Sequence, residues 1–216
     1  MSVLINEHID LLLKSTSRSF YPTLKYLPKK VRGQIGLLYL LARVADTIAD
    51  SKHGETEVLL KILKQYNEVA QGNLETLPDF DMIAEIQDNP DEAELLRNVQ
   101  SVIEGLEVYD SGDKQRMLEC LDVIVSGQVL DLERFGPAKE GGKISALGDN
   151  EQMDDYTYRV AGCVGVFWTK MSLAHLIKMS PTKEEEFFEK GIRFGKALQM
   201  INICLLYTSD AADDLW

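Results

Sequence analysis

Four polar residues, Tyr39, Arg43, Asp46 and Asp50, recur at steps of four, three and four within residues 35–50, IGLLYLLARVADTIAD. That spacing places them on one face of an α-helix. Apart from Thr47, every other position of the segment is apolar or glycine. A surface helix has a broad polar face and a narrower apolar one; here the proportions are inverted. The helix is therefore expected inside the protein, with its polar stripe lining an internal cavity. Asp46 and Asp50, one turn apart, repel each other, and burial adds a desolvation cost unless a cation compensates. Arg43 offsets part of that charge. A divalent metal would satisfy both carboxylates, and ligands that are all oxygen favour Mg²⁺, which takes one or two carboxylates together with water and phosphate oxygens. Carboxylate, metal and diphosphate on one wall, with apolar residues elsewhere, describe a site that ionises a prenyl diphosphate. The alternative for the same residues is a buried structural salt-bridge cluster.

The elements that must hold this stripe read as helices throughout. Pro28 can open a helix at its first turn, and the run continues to Asp50, closing near Gly54. A second run starts at Glu55 and ends before Gly72, and residues 73–80 form a loop around Pro78. Asn89, Pro90, Asp91 and Glu92 read as an N-cap, a first-turn proline and acids on the positive helix end. That helix is predicted to last to about Tyr109. The next covers residues 113–135 and stops at Gly136-Pro137. After a loop with Gly141-Gly142, a long run covers residues 150–179, and the last helix begins near Pro181. No segment shows sustained period-two alternation with β-branched bias. The expectation is an all-α fold in one domain, with no internal repeat.

At 216 residues, 45% hydrophobic and 27% charged, the chain has the composition of a soluble globular protein. A formal charge of −12 excludes nucleic acid as a partner, because nothing offsets phosphate repulsion. Cys120, Cys163 and Cys204 form no close pair, which points to a reducing compartment. No apolar stretch reaches the length of a membrane span. A cytoplasmic location is expected, with peripheral membrane contact left open. His8, His53 and His175 lack mutual spacing for a metal site and read as structural.

Five segments in order resemble the squalene/phytoene synthase family. Ser17-Arg18-Ser19-Phe20 is similar to its SRSF segment near the diphosphate pocket. Asp46-Thr47-Ile48-Ala49-Asp50, preceded by Arg43, resembles its first DxxxD motif. Gly127-Gln128-Val129-Leu130-Asp131-Leu132 looks like its G-x-x-x-D-L element, and residues 156–165, YTYRVAGCVG, like its Y-x-x-x-V-A-G-x-V-G signature. Residues 198–203, LQMINI, are similar to the start of the helix that carries its second aspartate-rich motif. The resemblance implies an isoprenoid-synthase-type helical bundle around a central cavity. It implies Mg²⁺ on Asp46 and Asp50, and charge-assisted bonds from Arg18 and Arg43 to phosphate oxygens. Tyr156 would handle the released diphosphate or shield the carbocation; a core tyrosine is the plainer reading. Ser17, Phe20 and Tyr39 would line the substrate pocket. Gln199 and Asn202 would contact substrate or diphosphate, and Asp131 is a further candidate that could equally face solvent. Gly127, Gly162 and Gly165 would serve close helix packing, above all Gly165.

The reaction implied joins two prenyl diphosphates head to head through a cyclopropylcarbinyl diphosphate. Squalene synthases finish with a hydride from NADPH; phytoene and dehydrosqualene synthases lose a proton instead. The SRSF and ADTIAD forms resemble squalene synthases, so two farnesyl diphosphates are the expected substrates. A non-catalytic α-helical interaction module and a terpene cyclase are the alternatives. After Ile203 the sequence leaves the family pattern: Leu206 stands where an aspartate is expected. CLLYTSDAAD is also the in-frame translation of a common sequencing adapter. Residues 1–203 are therefore expected to be a partial synthase domain, incomplete at its C-terminus, and residues 204–216 a non-native tail. Lacking the second motif, the chain is expected to be inactive.

Overall fold

The structure, a computed structural model, describes residues 6–17, 20–51, 54–136 and 147–208. All regular elements among them are helical, as the all-α reading requires, and none is long and apolar enough to cross a membrane. The sequence reads as one domain; the chain packs as two compact units, residues 1–145 and 146–216, divided within the segment that the sequence reads as a loop.

The first unit comprises α1 (Glu7–Ser17), α2 (Phe20–Leu24), α3 (Lys29–Ala49), α4 (Thr56–Ala70), α5 (Asp81–Glu85), α6 (Pro90–Arg97), α7 (Val99–Glu104), a 3₁₀ turn (Gly105–Val108) and α8 (Ser111–Phe135). Helix α3 is its centre, packed against α1, α4, α6, α7 and α8. Thirteen of its 21 residues are buried, so the inverted polarity of its sequence does mark an interior helix. Leu37, Leu40, Leu41 and Ile48 meet a core that includes Leu59, Leu63 and Tyr66 of α4, all with 1% exposure or less. Tyr66 also donates its hydroxyl to the Leu41 carbonyl at 2.8 Å, which ties α4 to α3.

Local chemistry sets the boundaries. The Asn89 side chain accepts from the Asp91 amide at 3.0 Å and Pro90 occupies the first turn, so α6 starts as predicted. The expected single run to Tyr109 is instead broken at Asn98, whose side chain donates to the Glu94 carbonyl at 2.8 Å. Such local bonds compete with helix propagation. Asp110 caps α8 by accepting from the Asp113 amide at 2.9 Å. The helix ends at Gly136, whose φ of 69° is the left-handed region that favours glycine.

The second unit comprises α9 (Asn150–Thr157), a π-helical segment (Tyr158–Gly162), α10 (Cys163–His175) and α11 (Pro181–Thr208). The run expected over residues 150–179 is thus interrupted by a π turn and stops at His175. A Cβ on Gly165 would lie 2.0 Å from the Gly191 carbonyl oxygen, and one on Gly195 2.2 Å from that of Ala161. Glycine is what lets α10 and α11 touch backbone to backbone, in line with the packing role expected of Gly165. Helix α11 continues across Ile203 to Thr208.

Candidate active site

The polar stripe of α3 becomes a hydrogen-bonded chain that crosses three helices. Arg43 donates through Nη1 to Asp46 Oδ2 at 2.7 Å and through Nη2 to Glu92 Oε1 on α6 at 2.6 Å. Asn89 Nδ2 donates to the same Glu92 oxygen at 3.2 Å. From α8, Gln128 Nε2 donates to Asp46 Oδ1 at 3.1 Å. Arg43 and Glu92 are only 18% and 19% exposed, so these bonds lie in a partly desolvated setting where charge-assisted geometry counts. Burial works against the charged guanidinium, but Asp46 and Glu92 outweigh it and hold its pKa above the ordinary value.

Asp50, the C-cap of α3 one turn beyond Asp46, has no side-chain hydrogen-bond or ion-pair partner among the described residues and is exposed. The stripe therefore opens to solvent at this end, which corrects the enclosure expected from the inverted polarity. Protein crowds the Asp50 carboxyl on its other sides. That partial burial, then repulsion from Asp46, with Arg43 opposing and Glu92 and Asp131 adding, pushes its pKa up to about 7. Burial likewise raises Asp46, against the pull of Arg43. Asp131 is raised to about 6 by burial, with Arg134 opposing, and its Oδ1 is buried without a hydrogen-bond partner. Among the described residues, the Arg43 guanidinium thus faces Asp46, Glu92 and Asp50, while Arg134 opposes the shift of Asp131.

Of the other predicted residues, Phe20 and Tyr39 are brought together, their rings 5.0 Å apart and tilted by 33°. The Tyr39 hydroxyl donates to the Thr16 carbonyl at 3.3 Å. Ser17 is buried and gives its hydroxyl to the Leu13 carbonyl of its own helix, which leaves it a local bond and not an exposed donor. Arg18 and His53 lie outside the described residues. In the second unit, Gln199 Nε2 of α11 donates to the Tyr156 hydroxyl at 3.5 Å, and Asn202 is half-buried one turn further on. The π-helical segment begins two residues after Tyr156, and such segments recur where a helix must present functional side chains.

Three members of the network, Asn89, Glu92 and Gln128, were not among the predicted site residues; Asn89 was read only as an N-cap. Gln128 lies inside the Gly127–Leu132 match, three residues before Asp131, and that helical spacing was the available signal. Glu92 looked like an acid placed for the helix dipole, and only the packing of α6 on α3 gives it a second use.

A largely buried central helix among elements that are all helical in the described residues defines an all-α class. Among solved structures the chain aligns with TcSQS in complex with the ligand E5700, with a TM-score of 0.71 at 19% identity, covering 91% of this chain and 52% of that one. The complex of TcSQS with BPH1237 gives 0.68 at 18% identity. The fold is that of the all-α isoprenoid synthases. The profile of the squalene/phytoene synthase family matches residues 13–214, and the chain belongs to that family. It is 26% identical to a squalene synthase of Eremothecium gossypii over 94% of this chain, and 27% identical to squalene synthase ERG9 of Saccharomyces cerevisiae over 95%. It spans 43% and 44% of the length of those two relatives.

Proposed function

We propose that this chain carries the first substrate-ionising half-site of an enzyme that condenses two prenyl diphosphates, farnesyl diphosphate in this reading, head to head to squalene. The observation that carries it is the asymmetry of the aspartate pair. Asp46 is held on both oxygens by Arg43 and Gln128, whereas Asp50, beside it, has no side-chain hydrogen-bond or ion-pair partner among the described residues. A carboxylate crowded by carboxylates and left unpaired suits a hard cation, and Mg²⁺ accepts such a pair together with water and phosphate oxygens. Among the described residues no three carboxylate, histidine or cysteine side chains converge on one point, so the remaining ligands in this proposal come from water and diphosphate.

In the proposed reaction Asp46 and Asp50 hold Mg²⁺, which when bound supplies positive charge against the leaving diphosphate. Arg43, with Arg18, offers further cationic donors to the phosphate oxygens. Phe20 and Tyr39 line the approach, while Tyr156, with Gln199 and Asn202, receives diphosphate or shields the cation. Asp131 stands by as a further polar contact. NADPH serves as reductant if squalene is the product; phytoene or dehydrosqualene would need none. The same proposal sets the enzyme in the cytoplasm, its sparse thiols suiting a reducing compartment, with peripheral membrane contact easing release of an apolar product.

A second reading, a structural salt-bridge brace, draws on the Arg43 guanidinium being bonded on both sides. It accounts for Arg43 and Asp46 but gives Asp50 no role. Calorimetric titration of the chain with farnesyl thiodiphosphate separates the two. Catalytic use requires binding that depends on Mg²⁺ and is abolished by both Asp46→Ala and Asp50→Ala. A brace would show no binding at all.

A further inference from the structure

We propose that Glu92 is a positioning residue of this site, acting on substrate through Arg43; the inference rests on the function proposed above. Arg43 carries five N–H donors on three nitrogens, and the structure shows how two of those nitrogens are engaged. Nη1 goes to Asp46 and Nη2 to Glu92, while Nε is buried without a partner. A guanidinium bonded to Asp46 alone could rotate about that single contact. The second bond, from a different helix, fixes its plane, and a planar fork recognises phosphate only in a set orientation. Glu92 is itself held. It stands in the first turn of α6, where Asn89 and Pro90 set the helix start, and Asn89 Nδ2 binds the same Oε1 that Arg43 uses. At 19% exposure it is poorly placed to serve as a solvent-facing charge, and no second cation competes for it among the described residues.

The charge it brings argues against a merely favourable electrostatic role. A carboxylate beside Asp46 and Asp50 opposes the approach of a diphosphate, and Glu92 pushes both aspartates upward in pKa. Retaining it makes sense if the orientation of Arg43 matters more than the added negative potential.

Titration of the 216-residue chain with farnesyl thiodiphosphate and Mg²⁺ tests this with three variants. Loss of one charge-assisted bond predicts that Glu92→Ala binds about tenfold or more weakly. Glu92→Gln keeps an oxygen that accepts from Nη2, so its affinity should stay within about threefold of the unaltered chain. Glu92→Asp, one methylene shorter, should weaken binding without lowering the melting temperature, which keeps the test open even if the alanine variant does not fold. Equal losses in the glutamine and alanine variants would mean that charge, not orientation, is what Glu92 supplies, and would overturn the proposal. So would folded alanine or aspartate variants with unchanged affinity. Failure of the unaltered chain to bind would overturn the functional reading first, and this inference with it.

Discussion

Asp46 and Asp50, the C-cap of α3, lie one turn apart on the same helical face, yet among the described residues side chains hold Asp46 and not Asp50. The pair is therefore not a symmetric repeat. One member is pinned between α3 and α8, and the other is left at the solvent-facing end of the stripe, where a ligand can reach it.

That difference has a signature in pH. The pKa of Asp50 is raised to about 7 in the folded chain, by burial first and then by Asp46, against about 3.9 when unfolded. The folded state therefore binds more protons between these values, and stability present at low pH is lost as pH rises through about 7. Asp46 and Asp131 shift in the same direction. The melting temperature should fall between about pH 4 and pH 7, and Asp50→Asn should flatten that fall. Because solvent screens the open side of Asp50, the gain from the variant at the alkaline end should be on the order of 1 kcal/mol or less. Calorimetric melting across this range checks it; an Asp50→Asn profile as steep as that of the unaltered chain would count against the repulsion described.

The interior of the first unit offers a cleaner energetic test. Tyr66 is fully buried, with its hydroxyl on the Leu41 carbonyl and its ring edge-on to Phe80 at 6.4 Å. Tyr66→Phe removes one neutral hydrogen bond and should cost about 0.5–1.5 kcal/mol. Tyr66→Ala also opens a ring-sized cavity beside α3 and should cost about 3–5 kcal/mol. Urea denaturation of both variants should separate them clearly. Similar losses would mean that the site collapses around the missing ring.

In the second unit the critical contact is between backbones. Gly165→Ala would place a methyl group 2.0 Å from the Gly191 carbonyl oxygen, a clash that only helix displacement relieves. Alanine ordinarily favours a helix by about 1 kcal/mol over glycine, so an exposed glycine would gain. Here overpacking should reverse the sign, with a net loss of about 1–3 kcal/mol. Thermal melting followed by circular dichroism gives the answer; a stabilised Gly165→Ala would show that α10 and α11 do not meet as closely as described.

How much of this was legible in the sequence differs by element. The course of α3 and its burial followed from its inverted polarity, because a helix apolar on nearly all sides has only the interior to occupy. Caps at Asn89 and the stop at Gly136 were legible because both are local chemistry. The break at Asn98 and the π segment at Tyr158–Gly162 were not, since each leaves the helical pattern of residue types intact. For the site, spacing along one helix brought out Tyr39, Arg43, Asp46 and Asp50, but Glu92 and Gln128 join them from other helices. No periodicity within one chain segment carries that information.

Asn89 makes the sharpest remaining prediction because its two side-chain atoms do different work. Its Oδ1 accepts from the Asp91 amide at 3.0 Å and caps α6, while its Nδ2 donates to Glu92 at 3.2 Å. Asn89→Ala loses both, and loss of the cap alone should cost about 1 kcal/mol of stability. Asn89→Asp keeps an equally good cap, so stability should change little, but it replaces the donor with a carboxylate facing Glu92. Repulsion would then move Glu92 away from the Arg43 guanidinium, and under the proposed function the affinity for farnesyl thiodiphosphate should fall while the melting temperature holds. Measuring both quantities on both variants separates helix capping from the orientation of Arg43. If Asn89→Asp binds as the unaltered chain does, the chain of bonds from Asn89 to Asp46 ends at Glu92 and transmits nothing to the ligand.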